Sequence, residues 1–163
     1  MRTERLVIRP TSEADRSRFL ELFTEEWFMV FSETGALDWG AAAIRFDRMV
    51  TSAAELPFCK QTVIEAETGR VIGYVGADYF EFRGEQRLEF GYRLSTDYRG
   101  RGYATEAAKA ILALARDTWS GELLAFIDPQ NDASRNVLRK LEFEYLETVP
   151  LMGDEVELYR LTL

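Results

Sequence analysis

The strongest chemical pattern in the sequence is Asp97-Tyr98-Arg99-Gly100-Arg101-Gly102-Tyr103-Ala104-Thr105-Glu106-Ala107. Gly100 and Gly102 let the backbone turn so that several N–H groups point one way. A helix starting at this point adds the partial positive charge of its N-terminus. Arg99 and Arg101 add full charges, so the segment has the makings of an anion cradle. The same residues also fit a plain glycine-rich turn with surface arginines. The loop is not a Walker motif, because the Lys-Ser/Thr ending is missing. It is not a dinucleotide fingerprint either, because Thr105 stands where a third glycine belongs.

The titratable side chains narrow the chemistry further. The chain has no histidine, which removes histidine triads and histidine-ligated metals. A general base near neutral pH must then be a carboxylate, a perturbed Lys, Tyr or Cys, or a water held by one of them. The single cysteine, Cys59, cannot form an intrachain disulfide.

The elements that must position these residues can be read from periodicity. Residues 3–9 form a strand closed by Pro10, and Thr11 and Ser12 offer caps for a helix through about Phe23. Residues 24–40 are aromatic-rich and irregular, and a second helix covers about 40–54. Strands at 60–66, 70–80 and 86–95 follow, with turns at Thr68-Gly69 and Arg83-Gly84, which makes an antiparallel meander. A helix at about 102–118 carries Ala104, Ala107, Ala108, Ile111 and Ala115 on one face. A short buried strand at 122–127 stops at Asp128-Pro129, and a helix runs over about 132–141. Strands near 143–149 and 155–162 close the chain around Gly153-Asp154. The order β-α-α-β-β-β-α-β-α-β-β is mixed α/β (α+β).

The 163 residues fit one domain, 1–163, with 47% hydrophobic and 29% charged residues, the balance of a soluble globular protein. No apolar run is long enough for a signal peptide or a membrane span, so a cytoplasmic location is expected. The net charge of −8 argues against nucleic acid and acidic membranes as partners. The charge is uneven. Residues 93–140 hold eight Lys/Arg against six Asp/Glu, a local excess of +2, and the remainder carries −10.

Three segments in order resemble the GNAT superfamily of acyltransferases. Arg99-x-x-Gly102-x-Ala104 resembles its pyrophosphate-binding signature. Leu88-Glu89-Phe90-Gly91-Tyr92-Arg93-Leu94 is similar to its central strand. Asn131-x-x-Ser134-x-x-x-Leu138-x-Lys140-x-x-Phe143 is similar to its cofactor-contacting helix. The opening Thr3-Glu4-Arg5-Leu6-Val7-Ile8-Arg9-Pro10 resembles the Rim-type branch, the ribosomal-protein N-terminal acetyltransferases. The resemblance implies a mostly antiparallel sheet of six or seven strands with splayed central strands and flanking helices. It implies acetyl-CoA as cosubstrate, no metal, and direct transfer of acetyl to a primary amine. Tyr92, Arg93 and Leu94 would offer the backbone edge for the pantetheine arm. Residues Arg99, Gly100, Arg101, Gly102, Tyr103, Ala104 and Thr105 would hold the pyrophosphate. Asn131 and Ser134 would reach the arm, and Arg135, Arg139 and Lys140 could face the adenosine phosphates.

By the same resemblance Glu89 is the leading base, with Asp78 and Glu81 in reserve. A strand glutamate paired with Arg87 or Arg93 is the plainer reading. Two positions depart from the family. Leu138 stands where many members carry a tyrosine that protonates the leaving thiolate, so Tyr145, Tyr103 or no acid at all serves here. Glu142 replaces the usual glycine. Trp27, Phe28, Phe31 and Trp39 could line an acceptor pocket, although such aromatics also build cores. The acceptor is expected to be a protein N-terminus or a small-molecule amine, and a homodimer is a candidate assembly. A non-catalytic acyl-CoA sensor and a nucleotide-binding module are the rival readings.

Overall fold

Turn residues set the frame of the sheet. A computed structural model describes residues 1–163. Strands β1 (Leu6–Arg9), β2 (Gln61–Glu65), β3 (Val71–Phe82) and β4 (Glu85–Leu94) form an antiparallel meander. Arg83 and Gly84 join β3 to β4 with both φ angles positive, which a two-residue hairpin turn of the primed type requires. Strands β5 (Glu122–Ile127), β6 (Glu144–Leu151) and β7 (Asp154–Thr162) complete one sheet in the order β1-β2-β3-β4-β5-β7-β6. Every neighbouring pair is antiparallel except β4–β5. This is the mixed α/β architecture expected, with seven strands.

Helices α1 (Arg16–Thr24), α2 (Glu26–Met29) and α3 (Trp39–Ser52) cover one face of the meander. Phe19, Phe23, Phe28 and Phe46 pack there around Tyr74 of β3, all nearly inaccessible to water. Helix α4 (Tyr103–Thr118) covers the other face, burying Ala107, Ala108, Ile111 and Ala115 against Val75, Ala77, Leu88 and Phe90. The small residues of α4 allow this close approach, and each large side chain buried stabilises by roughly 1.5–3 kcal/mol. Helix α5 (Asp132–Lys140) follows β5 and inserts Leu138 into the same core.

Three expectations are corrected. The first strand begins at Leu6, not at residue 3. Thr3 Oγ1 and the Arg5 N–H instead donate to Glu106 Oε1, at 2.6 and 2.9 Å, which turns the N-terminal residues toward α4. The segment 24–40 contains the short helix α2, with its buried Phe28 and Met29. The last turn centres on Met152-Gly153, both at positive φ, rather than on Gly153-Asp154.

Candidate active site

Strands β4 and β5 pair at two positions, Leu88↔Leu123 and Glu89↔Leu124, and then part. The edge of β4 from Phe90 to Leu94 therefore has no strand partner on the β5 side. A cavity of about 810 Å³ opens in the gap and extends over both faces of the sheet.

At one end of the cavity lies the glycine loop. Gly100 and Gly102 have φ of 72° and 82°, the left-handed region that favours glycine. The first α4 hydrogen bond runs from the Glu106 N–H to the Gly102 carbonyl. The N–H groups of Gly100, Arg101, Gly102, Tyr103, Ala104 and Thr105 have no acceptor within the protein. Orphan donors at a helix start form a ready anion site. The two arginines of the loop take separate positions, and only Arg99 borders the cavity. Arg99 donates to the Leu94 carbonyl at 3.1 Å and to the Trp27 carbonyl at 2.7 Å, so it braces the loop against α2. Burial, with Arg93 adding to it, pushes its pKa down. Arg101 lies over the Tyr98 ring, 5.7 Å from its centroid, outside the cavity wall.

The α5 side of the gap carries Asn131 and Ser134. Asn131 caps α5, its Oδ1 accepting from the Ser134 N–H at 3.1 Å. The Tyr92 hydroxyl crosses the gap and donates to Ser134 Oγ at 3.1 Å. Burial raises the Tyr92 pKa, with the Ser134 contact working against it, so the phenol holds its proton at neutral pH.

On the α1–α3 face, three cross-strand pairs of β3 and β4 stand in a row: Tyr74↔Arg93, Gly76↔Gly91 and Asp78↔Glu89. Lys60 reaches over this row. Its Nζ lies 2.7 Å from Glu89 Oε2 and 3.4 Å from Asp78 Oδ2. Gly76 makes this reach possible, since a Cβ there would strike the Cys59 carbonyl and the Lys60 backbone would be forced away. Burial opposes the Lys60 charge, but Glu89 and then Asp78 outweigh it, and the pKa is raised. Asp78 Oδ1 is buried without a hydrogen-bond partner. Glu89 thus pairs with Lys60 rather than with Arg87 or Arg93, while Arg87 pairs with Glu85 and Glu122. Glu81 is exposed and takes no part.

A family model described as the acetyltransferase (GNAT) domain matches residues 5–144. The chain belongs to the GNAT acetyltransferase family. The Bacillus subtilis (strain 168) protein YkkB, uncharacterized, is 30% identical over 96 residues, 58% of this chain and 56% of that one. This chain therefore spans little more than half of that relative. The acetyltransferase of Agrobacterium tumefaciens str. C58 superposes with a TM-score of 0.83 at 26% identity, covering 99% of this chain and 92% of that one. The phosphinothricin acetyltransferase of Sinorhizobium meliloti, solved in complex with acetyl-CoA, superposes with a TM-score of 0.76 over 97% and 88% of the two chains. At 20% identity that likeness shows the fold.

The residues of this GNAT acetyltransferase domain fit acetyl-CoA, the molecule with which the Sinorhizobium meliloti protein was solved. Six unpaired N–H groups suit a pyrophosphate, and the open β4 edge suits an amide-bearing arm. Arg135 is tied to Glu157 at 2.9 Å, whereas Lys140 borders the cavity without a carboxylate partner. Leu138, at the family's tyrosine position, is 1% exposed in the core. Neither substitute tyrosine brings its hydroxyl to the gap. Tyr145 bonds Thr148 on the outside, and Tyr103 donates to Glu65 Oε1 at 3.1 Å in the interior. Glu142 has φ of 65°, the left-handed conformation for which glycine is usual.

The four aromatics picked from the sequence separate. Phe31 borders the cavity, and Phe28 borders it from within the core. Trp27 and Trp39 are 71% and 60% exposed and do not line it. Sequence reasoning missed Lys60, Tyr74, Arg45 and the Tyr92 hydroxyl. For Arg45 a signal existed: Ala41, Ile44, Arg45 and Arg48 recur at helical spacing and form the α3 face toward the cavity. No three His, Cys, Asp or Glu side chains gather as a metal site. No helix is long and apolar enough to cross a membrane.

Proposed function

We propose that this enzyme, working as one domain over residues 1–163, transfers acetyl from acetyl-CoA directly to a primary amine in a ternary complex. The observation that carries this reading is one continuous cavity that joins the free N–H cradle of residues 100–105 to the Glu89 carboxylate. The cradle takes the pyrophosphate, with Arg99 bracing the loop from behind. The backbone edge at Tyr92, Arg93 and Leu94 pairs with the pantetheine amides, and the Asn131 side-chain amide and the Ser134 hydroxyl meet the same arm.

When bound, acetyl-CoA supplies the acyl group: the amine nitrogen bonds to the thioester carbonyl carbon, the carbon–sulfur bond breaks, and the thiolate leaves with the electron pair. The nitrogen must be neutral to attack, yet lysine amines have pKa near ~10.4 and α-amines near ~7.7–8.0. Glu89 takes that proton, directly or through a water. Lys60 keeps the carboxylate in place over Gly91. An acid for the thiolate is not obligatory, because a thiol pKa near ~8.5 already makes a fair leaving group.

The acceptor is a protein N-terminus, as the Rim-type opening residues favour, or a small amine. The protein works in the cytoplasm, apart from nucleic acid and membranes, and a homodimer is its candidate assembly. The net charge of −8 supports the absence of polyanionic partners.

Glu89→Gln tests the base. Removing it is expected to lower kcat/KM by ~10²–10⁴. The loss shrinks as pH rises toward the amine's own pKa, and acetyl-CoA affinity by calorimetry is unchanged. A pH-independent loss together with a lower melting temperature would assign Glu89 to a structural pairing with Lys60.

A further inference from the structure

The cavity on the α1–α3 face has two poles of opposite charge. At one end stand Asp78 and Glu89 with Lys60 between them, a cluster one negative charge in excess. At the other end Arg93 and Arg45 converge on Tyr74. Arg45 Nη2 donates to the Tyr74 hydroxyl at 3.4 Å. Arg93 donates to Met29 Sδ at 3.0 Å and to the Phe31 carbonyl at 3.4 Å. Neither arginine has a carboxylate partner, in a chain with 28 acidic and 20 basic residues. Thirteen ion pairs form outside the cavity's acidic pole, most of them at the surface. Two arginines that converge on one tyrosine hydroxyl at the cavity wall, neither paired with a carboxylate, make a place suited to an anion.

The register fixes the spacing of the poles. Tyr74↔Arg93 and Asp78↔Glu89 are four residues apart along both strands, about 13 Å at the strand rise. Long side chains shorten that span from both ends. The Gly76↔Gly91 pair lies between them, with the Cys59–Lys60 backbone packed against Gly76 and Glu89 Oε1 over Gly91, so the anionic pole reaches toward the arginines. The field of the cationic pole is felt by Tyr74 itself. Burial raises its pKa, but Arg93, Arg45 and Lys60 together outweigh burial and leave it lowered.

We infer that the acceptor is a small zwitterion of amino-acid type, whose amine is received at Asp78 and Glu89 and whose carboxylate is received at Arg45, Arg93 and the Tyr74 hydroxyl. This rests on the amine-acetyltransferase reading above and narrows its substrate class. Two-point recognition orients the amine: the carboxylate, fixed at the arginine pole, delivers the nitrogen to the base at the other. Arg45 comes from the α3 face that borders the cavity, so α3 contributes specificity as well as cover.

The test uses matched amines, free amino acids beside their methyl esters, with thiol release as the readout and acetyl-CoA affinity measured in parallel by calorimetry. The wild-type protein is expected to favour the free acid over its ester by about tenfold to a hundredfold in kcat/KM, the worth of a charged hydrogen bond. Arg45→Met should bring that ratio close to one while acetyl-CoA affinity holds. Arg45→Lys, which keeps the charge, should retain most of the preference and guards against a simple folding defect. Equal turnover of acid and ester by the wild type overturns the zwitterion assignment and leaves amine transfer standing. An Arg45→Met loss shared equally by both partners overturns the role of Arg45. Thiol release with a protein N-terminus but with no free amino acid overturns the small-acceptor class in favour of a macromolecular one. Binding of acetyl-CoA without thiol release for any amine overturns amine transfer itself, and the acceptor class with it.

Discussion

A single methyl group added at Gly91 should separate activity from stability. Gly91 sits between Glu89 and Arg93 on the face where the proposed base lies. A Cβ built there would stand 2.8 Å from Glu89 Oε1, and 3.7 Å from the Lys60 Cε. Ordinary contact begins near 3.4 Å, so the carboxylate must move by about 0.6 Å while Lys60 can stay. The moving atom is the end of a flexible side chain, and Gly91 has no positive φ, so the fold has no reason to resist. Replacing glycine by alanine at a compatible position removes unfolded-chain entropy and stabilises by about 0.4–1 kcal/mol. Misplacing a reacting group by 1 Å can cost ~10²-fold, so a shift of this size should lower kcat/KM by about tenfold or more. Gly91→Ala is therefore expected to melt at or slightly above the wild-type temperature and to bind acetyl-CoA normally by calorimetry, with slower thiol release. Wild-type turnover in the folded variant would show that the carboxylate position over Gly91 is irrelevant to catalysis.

Two other outcomes follow from the surroundings of Asp15 and Cys59. Asp15 accepts from Arg9 at 2.6 and 2.7 Å, from the Ser12 N–H at 3.0 Å and from Thr62 at 3.2 Å. Burial opposes its charge, but Arg9 and Ser12 outweigh burial and hold its pKa below the usual value. The stabilisation is therefore complete above the unfolded pKa near ~3.9 and disappears as pH falls through the lower folded value. Asp15→Asn should cost about 1.5–3 kcal/mol at pH 7 in urea unfolding, with the gap to wild type closing in acid. A constant gap down to pH 2 would contradict the ionic account. Cys59 is 1% exposed, and burial, with Asp78 adding to it, pushes its thiol up to about 11. It stays protonated at neutral pH and does not line the cavity, so Cys59→Ala should keep turnover near wild type. Abolished activity in a folded Cys59→Ala protein would rule out direct transfer.

The sequence revealed the parts of the site that depend on local backbone. Gly100 and Gly102 are legible because only a left-handed turn needs glycines in that pattern, and the strand at 122–127 is legible because it is a short apolar run with a clear stop. What depends on register was not legible. The partner of Glu89 turned out to be Lys60, 29 residues away. The close backbone approach at Gly76 brings Lys60 over β4, and nothing in residues 86–95 announces it. The segment from Trp27 to Trp39 misled for a related reason. Its aromatics look alike in sequence, but the turn of α2 sends Phe28 inward and Trp27 outward. Glu142 lies between the two cases. Its departure from glycine was visible, and the positive φ it must adopt is the physical form of that departure.

The two-position seam between β4 and β5 has a consequence for the life of the protein in the cell. β1–β4 and β5–β7 are each paired over longer stretches, so the seam is where the ladder holds the fewest positions. A ligand lying along the seam supplies the missing ladder and acts as a suture. A ligand at a hundred times its Kd adds about 2.7 kcal/mol of stability, a substantial part of what a small domain has. Resistance to proteolysis would then rise and fall with the supply of the molecule that fills the seam. Abundance of the enzyme would follow abundance of its acetyl donor without any dedicated regulator.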